Sequence, residues 1–170
     1  LAHHILVLYY AQPYTYQPDG PGVPVVLVSD LSTPARNTTR EVYAQIVADL
    51  TEAEQIIDPA YVRSGITDTK AAVSLPAIQA LLSRVYLYMG EWQKSADYAT
   101  KVINNSNYKL WTADELPTVW TKDVAGNGGE VIMEFYGKKS NDYYNSWTDI
   151  SYVTNPNGYA DCGVSNDLYS

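Results

Sequence analysis

The sequence predicts a mostly α-helical fold, in which helical hairpins are joined by long irregular loops, with at most one short strand pair. Two observations indicate this fold. Apolar residues recur at steps of three and four over residues 38–58 and again over residues 77–103, which is the spacing of one helix face. Strand-like alternation is confined to residues 131–136, and it is weak there.

The first forty residues combine the end of one helix with two loops. Residues 1–10 have the apolar pattern of an amphipathic helix. Residues 11–28 contain four prolines and two glycines, which predicts a rigid loop. Within this loop, residues 23–28 are apolar and mostly β-branched, which favours an extended path. Residues 31–39 form a second loop that contains proline.

A longer helix is predicted from Thr38 to about Asp58. Thr38 and Glu41 have the spacing of a capping box, in which each side chain accepts a hydrogen bond from the other residue's backbone N–H. Pro59 ends the helix, because a proline disfavours helical conformation in the residue before it. The predicted buried face comprises Val42, Ile46, Val47, Leu50, Ala53 and Ile57.

Residues 77–103 predict two helices folded back on each other. Gly90 lies between them, and glycine readily takes the left-handed conformation that ends a helix and reverses the chain. We expect Leu82 and Val85 to be nearly buried and to face Ala96 and Ala99. The full contact faces are predicted as Ala77, Leu81, Leu82, Val85, Tyr86 and Met89 on the first helix, and Trp92, Ala96, Ala99 and Ile103 on the second.

This hairpin resembles a tetratricopeptide unit, because small residues lie at the helix contact and a Tyr/Trp pair flanks the turn. Stacked hairpins of this kind build binding scaffolds. We therefore expect one partial domain over residues 1–170, with a helical scaffold over about 1–107. Residues 108–170 are expected to form a loop-rich, ligand-facing segment, because residues 137–163 show no sustained period and long irregular segments in ordered domains are usually functional.

The composition excludes several classes of partner. The net charge is −8 and the pI is about 4.5, without any cluster of Lys and Arg, so nucleic acid is not an expected partner. No stretch of about 20 apolar residues is present that would span a membrane. Charged residues make up only 18%, whereas tyrosine contributes 16 residues. This balance suits a secreted or surface-exposed protein that meets uncharged polyols.

The sequence shows no catalytic or metal-binding motif. Cys162 is the single cysteine, so it forms no disulfide within the chain. A nucleophile motif such as G-x-S-x-G is absent, and no loop has the D-x-D-x-D-G spacing of a calcium site. Adjacent residues on a helix point about 100° apart, so His3 and His4 would not bind one ion together. We expect no enzymatic activity, no cofactor and no metal.

Six motifs occur in a fixed order along the chain. They are PYTYQPDGPGVPVV at residues 13–26, PAR at 34–36, EVYAQIVADLTEAEQIID at 41–58, ALLSRVYLYMGEWQKSADYATKVI at 80–103, YKL at 108–110 and GGEVIMEFY at 128–136. Together they resemble the SusD/RagB family of glycan-binding outer-membrane lipoproteins, and the resemblance covers nearly the whole chain.

The resemblance implies a tetratricopeptide-like scaffold whose irregular segments carry the ligand site. It also implies non-catalytic capture of oligosaccharides or polysaccharide at the outer membrane, on the cell surface, for delivery to a SusC-like TonB-dependent outer-membrane transporter. The chain would be the middle part of a longer protein. Contact with the membrane would then be only through a lipid anchor that is missing from this fragment.

The expected glycan-binding residues are aromatic rings that lie among Asn and Asp in the irregular segment. Sugar rings present apolar C–H faces that stack on aromatic rings, while amides and carboxylates bind their hydroxyl groups. The alternative is that these rings pin a long loop onto the core. The residues are Tyr143, Tyr144, Trp147, Asn141, Asn145 and Asp149.

Two other functions are compatible with the sequence. One is a tetratricopeptide-type scaffold for protein–protein interaction, although such scaffolds are usually continuous repeats without long Tyr- and Asn-rich insertions. The other is an accessory domain of a glycoside hydrolase, since carboxylates distant in sequence can meet at glycosidase spacing. Formation of products from a glycan would distinguish this last function.

Overall fold

The structure is a computed structural model that describes residues 2–6, 9, 11–29, 31–59, 69–119 and 129–134. These residues belong to one compact unit, Leu1–Glu134. The fold is mostly α-helical, as the sequence predicts. The helices are α1 (Ala2–Ile5), α2 (Thr39–Ile56), α3 (Leu75–Met89), α4 (Trp92–Ile103) and α5 (Leu116–Val119), with a 3-10 turn at Thr69–Ala71.

β structure within the described residues is limited to an isolated antiparallel bridge between Pro21 and Thr38. Next to this bridge, the Gly22 N–H donates to the Asn37 carbonyl at 2.7 Å, and the Asn37 N–H donates to the Val23 carbonyl at 3.3 Å. These bonds hold residues 11–28, which we call the Pro-rich loop, against the residues that lead into α2. The loop is therefore a fixed part of the unit.

The start of α2 has the predicted capping box. The Glu41 N–H donates to Thr38 Oγ1 at 3.2 Å, and the Thr38 N–H donates to the Glu41 carboxylate at 2.8 Å. The hydrogen bond from the Thr38 backbone is the main cause that lowers the pKa of Glu41. Arg40 also forms an ion pair with Asp19 of the preceding loop, at 2.8 Å. The capping box therefore fixes the first turn of α2, and the ion pair attaches this turn to the preceding loop.

The turn between α3 and α4 depends on Gly90, as predicted. Its φ is +76°, in the left-handed region that side chains disfavour. The Glu91 N–H donates to the Tyr86 carbonyl at 3.0 Å, and the Gly90 N–H donates to the Leu87 carbonyl at 3.1 Å. These bonds satisfy carbonyl groups that the end of a helix otherwise leaves without partners. The chain therefore reverses directly into α4.

The core lies mainly between α2 and α3. Leu82 and Val85 are both 0% exposed, which confirms that they are buried. One cluster contains Leu6, Val42, Tyr43 and Val85; a second contains Ile78, Leu82 and Tyr86. The predicted face of α2 packs against these clusters through Val47, Leu50, Ala53 and Ile57, among others. Leu82 and Val85 thus pack mainly on α2.

Three of the four residues predicted for the contact face of α4 are wrong, whereas Ala99 is half-buried. Ala96 is exposed, and Trp92 and Ile103 are 66% and 76% exposed. On α3, the prediction for Leu81 is also wrong, since it is 38% exposed. The buried residue of α4 is Ser95, whose hydroxyl donates to the Ser83 carbonyl at 2.9 Å, while the Ser83 hydroxyl donates to the Ser95 carbonyl at 2.9 Å. Because both side chains are small and bind each other's backbone, α3 and α4 can approach closely at this point. The face of α4 that packs on α3 therefore lies beside its apolar stripe and does not coincide with it.

Glu54 of α2 links three helices. Its carboxylate accepts hydrogen bonds from Gln79 of α3 at 3.0 Å, from the Tyr98 hydroxyl of α4 at 2.9 Å and from the Lys101 ammonium of α4 at 3.1 Å. Tyr98 also stacks on Tyr86, with 5.6 Å between ring centroids. These polar and aromatic contacts of Tyr98 and Lys101 therefore attach α4 to α2 and α3, without a contribution from the apolar stripe of α4.

Candidate functional site

The six residues expected to bind glycan all lie outside the described residues, as does the whole segment from residue 135 onward. The structure therefore leaves Tyr143, Tyr144 and Trp147 as predictions. The same holds for Asn141, Asn145 and Asp149, which complete the expected set.

A cleft of about 400 Å³ lies at the N-terminal end of α3. We call it the α3 cleft. Four chain segments form its wall: residues 57–59 after α2, residues 70–79 leading into α3, the turn after α4 at residues 105–108, and Ile132. Its volume falls within the range of about 300–1,000 Å³ that is usual for small-molecule sites.

Hydrogen bonds fix the turn that forms one wall of the α3 cleft. The Asn107 N–H donates to Asn105 Oδ1 at 3.0 Å, and the Tyr108 N–H donates to the Asn105 carbonyl at 3.1 Å. An Asn side chain that binds the backbone two residues later favours a turn. Asn107 and Tyr108 are thereby held at the rim of the cleft immediately after α4.

The segment that was expected to form a strand, residues 131–136, contributes Ile132 to the wall of the α3 cleft. Residues 131–134 form no strand in the structure. The Glu134 N–H donates to the Lys70 carbonyl at 3.0 Å, which ties this segment to the loop before α3. The Lys70 ammonium lies 5.5 Å from the centroid of the Tyr108 ring, within the range of a cation–π interaction. Lys70 thus contacts both the segment at residues 131–134 and the turn after α4.

Ser74 occupies the N-cap position of α3 but does not cap the helix through its side chain. Its Oγ is buried, makes no hydrogen bond with any described residue, and belongs to the wall of the α3 cleft. Asp58 and Lys70 are the charged residues among the described residues of the wall, and their charges are opposite. The described part of the wall therefore combines polar groups with little net charge.

Trp111 fixes the chain just beyond the α3 cleft. Its backbone N–H donates to the Glu130 carboxylate at 2.8 Å, and the Lys109 N–H donates to the Gly129 carbonyl at 3.3 Å. Gly129 has a φ of +77°, and a Cβ there would collide with the Trp111 indole. Trp111 therefore serves as an anchor of this loop.

A second, polar cleft of about 300 Å³ lies beside the Pro-rich loop, with Tyr9, Gln12 and Gln17 in its wall. Arg36 also lines it, and its guanidinium donates to the Pro21 carbonyl at 2.9 Å and to the Gly22 carbonyl. The Arg36 side chain therefore stabilises the Pro-rich loop through these two hydrogen bonds.

The described residues contain no group of three or more His, Cys, Asp or Glu side chains that could hold a metal ion. His3 is buried, and its ring makes edge contacts with Tyr43 and Tyr88 at centroid distances of 5.5 and 5.4 Å. It is therefore part of the core.

None of the described helices is long and apolar enough to cross a membrane.

Comparison with known proteins identifies the family. A family model described as "SusD-like_3: Starch-binding associating with outer membrane" matches residues 1–87, just over half of the 170-residue chain. The chain belongs to this SusD-like family. Membership places the protein at the outer membrane, on the cell surface, as the resemblance implied. Among curated proteins, none is detectably similar in sequence.

Solved structures of the SusD superfamily have the same fold. A SusD superfamily protein from Bacteroides thetaiotaomicron is 34% identical over 79% of this chain and 28% of its own, with a TM-score of 0.67. A SusD superfamily protein from Bacteroides vulgatus is 26% identical over 87% of this chain and 33% of its own, with a TM-score of 0.66. A SusD-like carbohydrate binding protein from Bacteroides vulgatus is 29% identical over 60% of this chain and 21% of its own, with a TM-score of 0.52.

The SusD-like chain thus spans about a third or less of the length of these relatives. The sequence predicted the family correctly but missed the α3 cleft. Its polar turn is visible as the run NNSNY at residues 104–108, which has the same mixture of amides and an aromatic ring as residues 141–149. In the sequence alone, that run indicates only the end of a helix.

Proposed function

We propose that the intact protein captures oligosaccharides or polysaccharide on the bacterial cell surface and delivers them to a TonB-dependent outer-membrane transporter. The observation that carries this proposal is membership of a family described as starch-binding and associating with the outer membrane. Similarity to the SusD-like carbohydrate binding protein from Bacteroides vulgatus gives further support.

The capture is proposed to be non-covalent, without hydrolysis. A helical scaffold with fixed loops supplies surfaces for binding, and no nucleophile, base and oxyanion donor are recognisable together in the sequence. The test is an assay for reducing ends, in which the intact protein is incubated with a panel of plant and host glycans. Release of reducing ends would identify a hydrolase and overturn this part of the proposal.

We propose that the ligand contacts include Tyr143, Tyr144 and Trp147, with Asn141, Asn145 and Asp149 binding sugar hydroxyl groups. Each ring, if it stacks on a sugar, should contribute roughly 1–3 kcal/mol to binding, by analogy with bases stacked on aromatic side chains. The control is Tyr16→Ala, which removes a 77% exposed tyrosine ring from the Pro-rich loop.

The experiment is calorimetric titration of the intact protein and of three variants, Tyr143→Ala, Tyr144→Ala and Trp147→Ala, with a melting curve for each. A glycan array first identifies a ligand. The proposal predicts weaker binding with unchanged melting temperatures. Unchanged affinity in all three variants would exclude this site, and lost affinity together with a lowered melting temperature would favour loop anchors instead.

Delivery to a transporter is tested separately. The intact, membrane-attached protein should co-purify with a TonB-dependent transporter from detergent-solubilised outer membranes. The amount of transporter recovered should be unchanged after glycan is removed. Recovery without any transporter would contradict delivery while leaving capture intact. Stable co-purification with other proteins, together with no glycan binding, would favour a protein–protein scaffold.

A further inference from the structure

The geometry points to the α3 cleft as a binding subsite for a short neutral saccharide. This inference rests on the proposed function, since it assigns one part of the glycan contact to described residues. It goes beyond that function because the cleft is lined by residues between 57 and 132, whereas the sequence assigned the ligand to residues 141–149.

The first argument is the shape and origin of the cleft. Its volume of about 400 Å³ is adequate for a small ligand. Its wall is held in place by backbone hydrogen bonds, from Glu134 to Lys70 and from Tyr108 to Asn105. A site whose walls are already fixed loses little freedom when a ligand binds, and this favours affinity.

The second argument is the set of polar groups that the fold leaves available. The Asn107 side-chain amide and the Tyr108 hydroxyl make no hydrogen bond to another described residue. Ser74 Oγ is buried in the same wall and likewise has no partner among the described residues. A hydroxyl-rich ligand offers both donors and acceptors, so it could satisfy amide and hydroxyl groups that lack intramolecular partners.

The third argument identifies the class of ligand. Among the described wall residues, Asp58 and Lys70 carry opposite charges, so this part of the cleft offers no concentrated charge to a phosphate, sulfate or uronate. Apolar groups of Leu75, Pro76 and Ile132 supply surface for sugar C–H faces beside the polar groups. This mixture fits a neutral sugar, which has hydroxyl groups at its edge and apolar patches on its faces.

Two substitutions test the inference with little risk to the fold. Asn107→Ala removes an amide that is exposed and makes no hydrogen bond to a described residue. Tyr108→Phe removes only the hydroxyl and keeps the ring under Lys70. The matched controls are Asn104→Ala, an exposed residue outside the wall of the cleft, and Tyr16→Phe, an exposed tyrosine in the Pro-rich loop.

The experiment uses the intact protein in affinity gels that contain soluble starch or other neutral polysaccharides, followed by calorimetry with short oligosaccharides of whichever polysaccharide retards the wild type. Each cleft variant should weaken binding about two- to tenfold, the loss expected for a neutral hydrogen bond. The double variant should lose more than either single variant, and the controls and all melting temperatures should be unchanged.

The outcomes separate the two proposals. Full affinity in both cleft variants and in the double variant overturns the cleft, and it leaves glycan capture intact because the wild type still binds. A wild type that binds no polysaccharide overturns glycan capture and the cleft together. Binding only of uronate-rich or sulfated glycans, with a steep loss in salt, overturns the neutral class that the cleft is inferred to accept.

Discussion

Glu54 should contribute measurably to the stability of the three-helix core, and Glu54→Gln tests this. The substitution keeps the shape of the side chain and removes its charge. In the structure the carboxylate accepts from Gln79 and Lys101 through one oxygen and from Tyr98 through the other. A neutral amide keeps one acceptor oxygen and replaces the other with a donor, so at least one of these bonds is lost.

The magnitude follows from the exposure of each partner. The Glu54 side chain is 18% exposed, whereas Lys101 is 47% exposed, so this ion pair is partly screened by water and should contribute no more than about 0.5 kcal/mol. The bonds from Tyr98 and Gln79 should contribute about 1 kcal/mol each. With one acceptor retained, Glu54→Gln should lower the free energy of unfolding by about 1–2 kcal/mol, or the melting temperature by roughly 2–8 °C.

The pH dependence gives a second, independent test. Burial acts to raise the pKa of Glu54, but hydrogen bonds from Gln79, Lys101 and Tyr98 outweigh it, so the pKa lies below its usual value of 4.5. Because the folded-state pKa is depressed, the stabilisation is present above pH 4.5 and is lost as the pH falls through the folded-state pKa. The stability gap between wild type and Glu54→Gln should therefore be largest near neutral pH and close in acid.

The assay is urea unfolding at about pH 7 and at several values below pH 4.5, the usual pKa of a glutamate. The control is Glu52→Gln, since Glu52 is an exposed carboxylate on the same helix. Burial, and then the bond to Glu54, raise the pKa of Tyr98 to about 12, so Tyr98 remains a hydrogen-bond donor throughout this range. Equal stabilities for the two variants at neutral pH, or a gap that persists in acid, would refute the reasoning.

Three further substitutions test the packing. Leu82→Ala should cost about 2–5 kcal/mol in urea unfolding, because Leu82 is fully buried, and an equal loss for Leu81→Ala on the exposed side would contradict the assigned core. Thr38→Ala should cost about 1 kcal/mol through loss of the α2 cap, and an unchanged unfolding midpoint would exclude that role. Gly129→Ala should weaken the near-ultraviolet circular dichroism of tryptophan, because its Cβ would displace Trp111, and an identical spectrum would argue against the contact.

The course of α2 could be predicted because its signals are local. Thr38 and Glu41 lie three residues apart, Pro59 follows the last turn, and the apolar stripe lies within one helix. The Gly90 turn was predictable for the same reason, since its left-handed conformation is a property of one residue. In each case, the residues that determine the structure are neighbours in the sequence.

The face of α4 could not be predicted from hydrophobicity. Trp92, Ala96 and Ile103 form the most apolar stripe, yet the helix packs through Ser95 because its hydroxyl pairs with Ser83 across the hairpin. Serine counts as polar in a hydrophobic pattern, so reciprocal hydrogen bonds between helices leave no apolar signal. The apolar stripe remains on the outer side, where tertiary packing within the described residues does not cover it.

The α3 cleft was missed because distant segments form it. Lys70, Asn107 and Ile132 meet in its wall although they are far apart in the sequence. A sequence pattern shows which segment contains amides and aromatic rings. It does not show which segments lie next to each other in the folded protein. The family itself was predictable because its motifs keep their order along the chain, and order needs no knowledge of tertiary contacts.

The most direct test of glycan capture is calorimetric titration of the intact protein with a neutral polysaccharide, performed at low and at high salt. We predict saturable binding whose affinity changes little with salt, because a neutral sugar releases no counterions when it binds. Absence of binding to every neutral polysaccharide tested, or binding that disappears as the salt concentration rises, would contradict the proposed function.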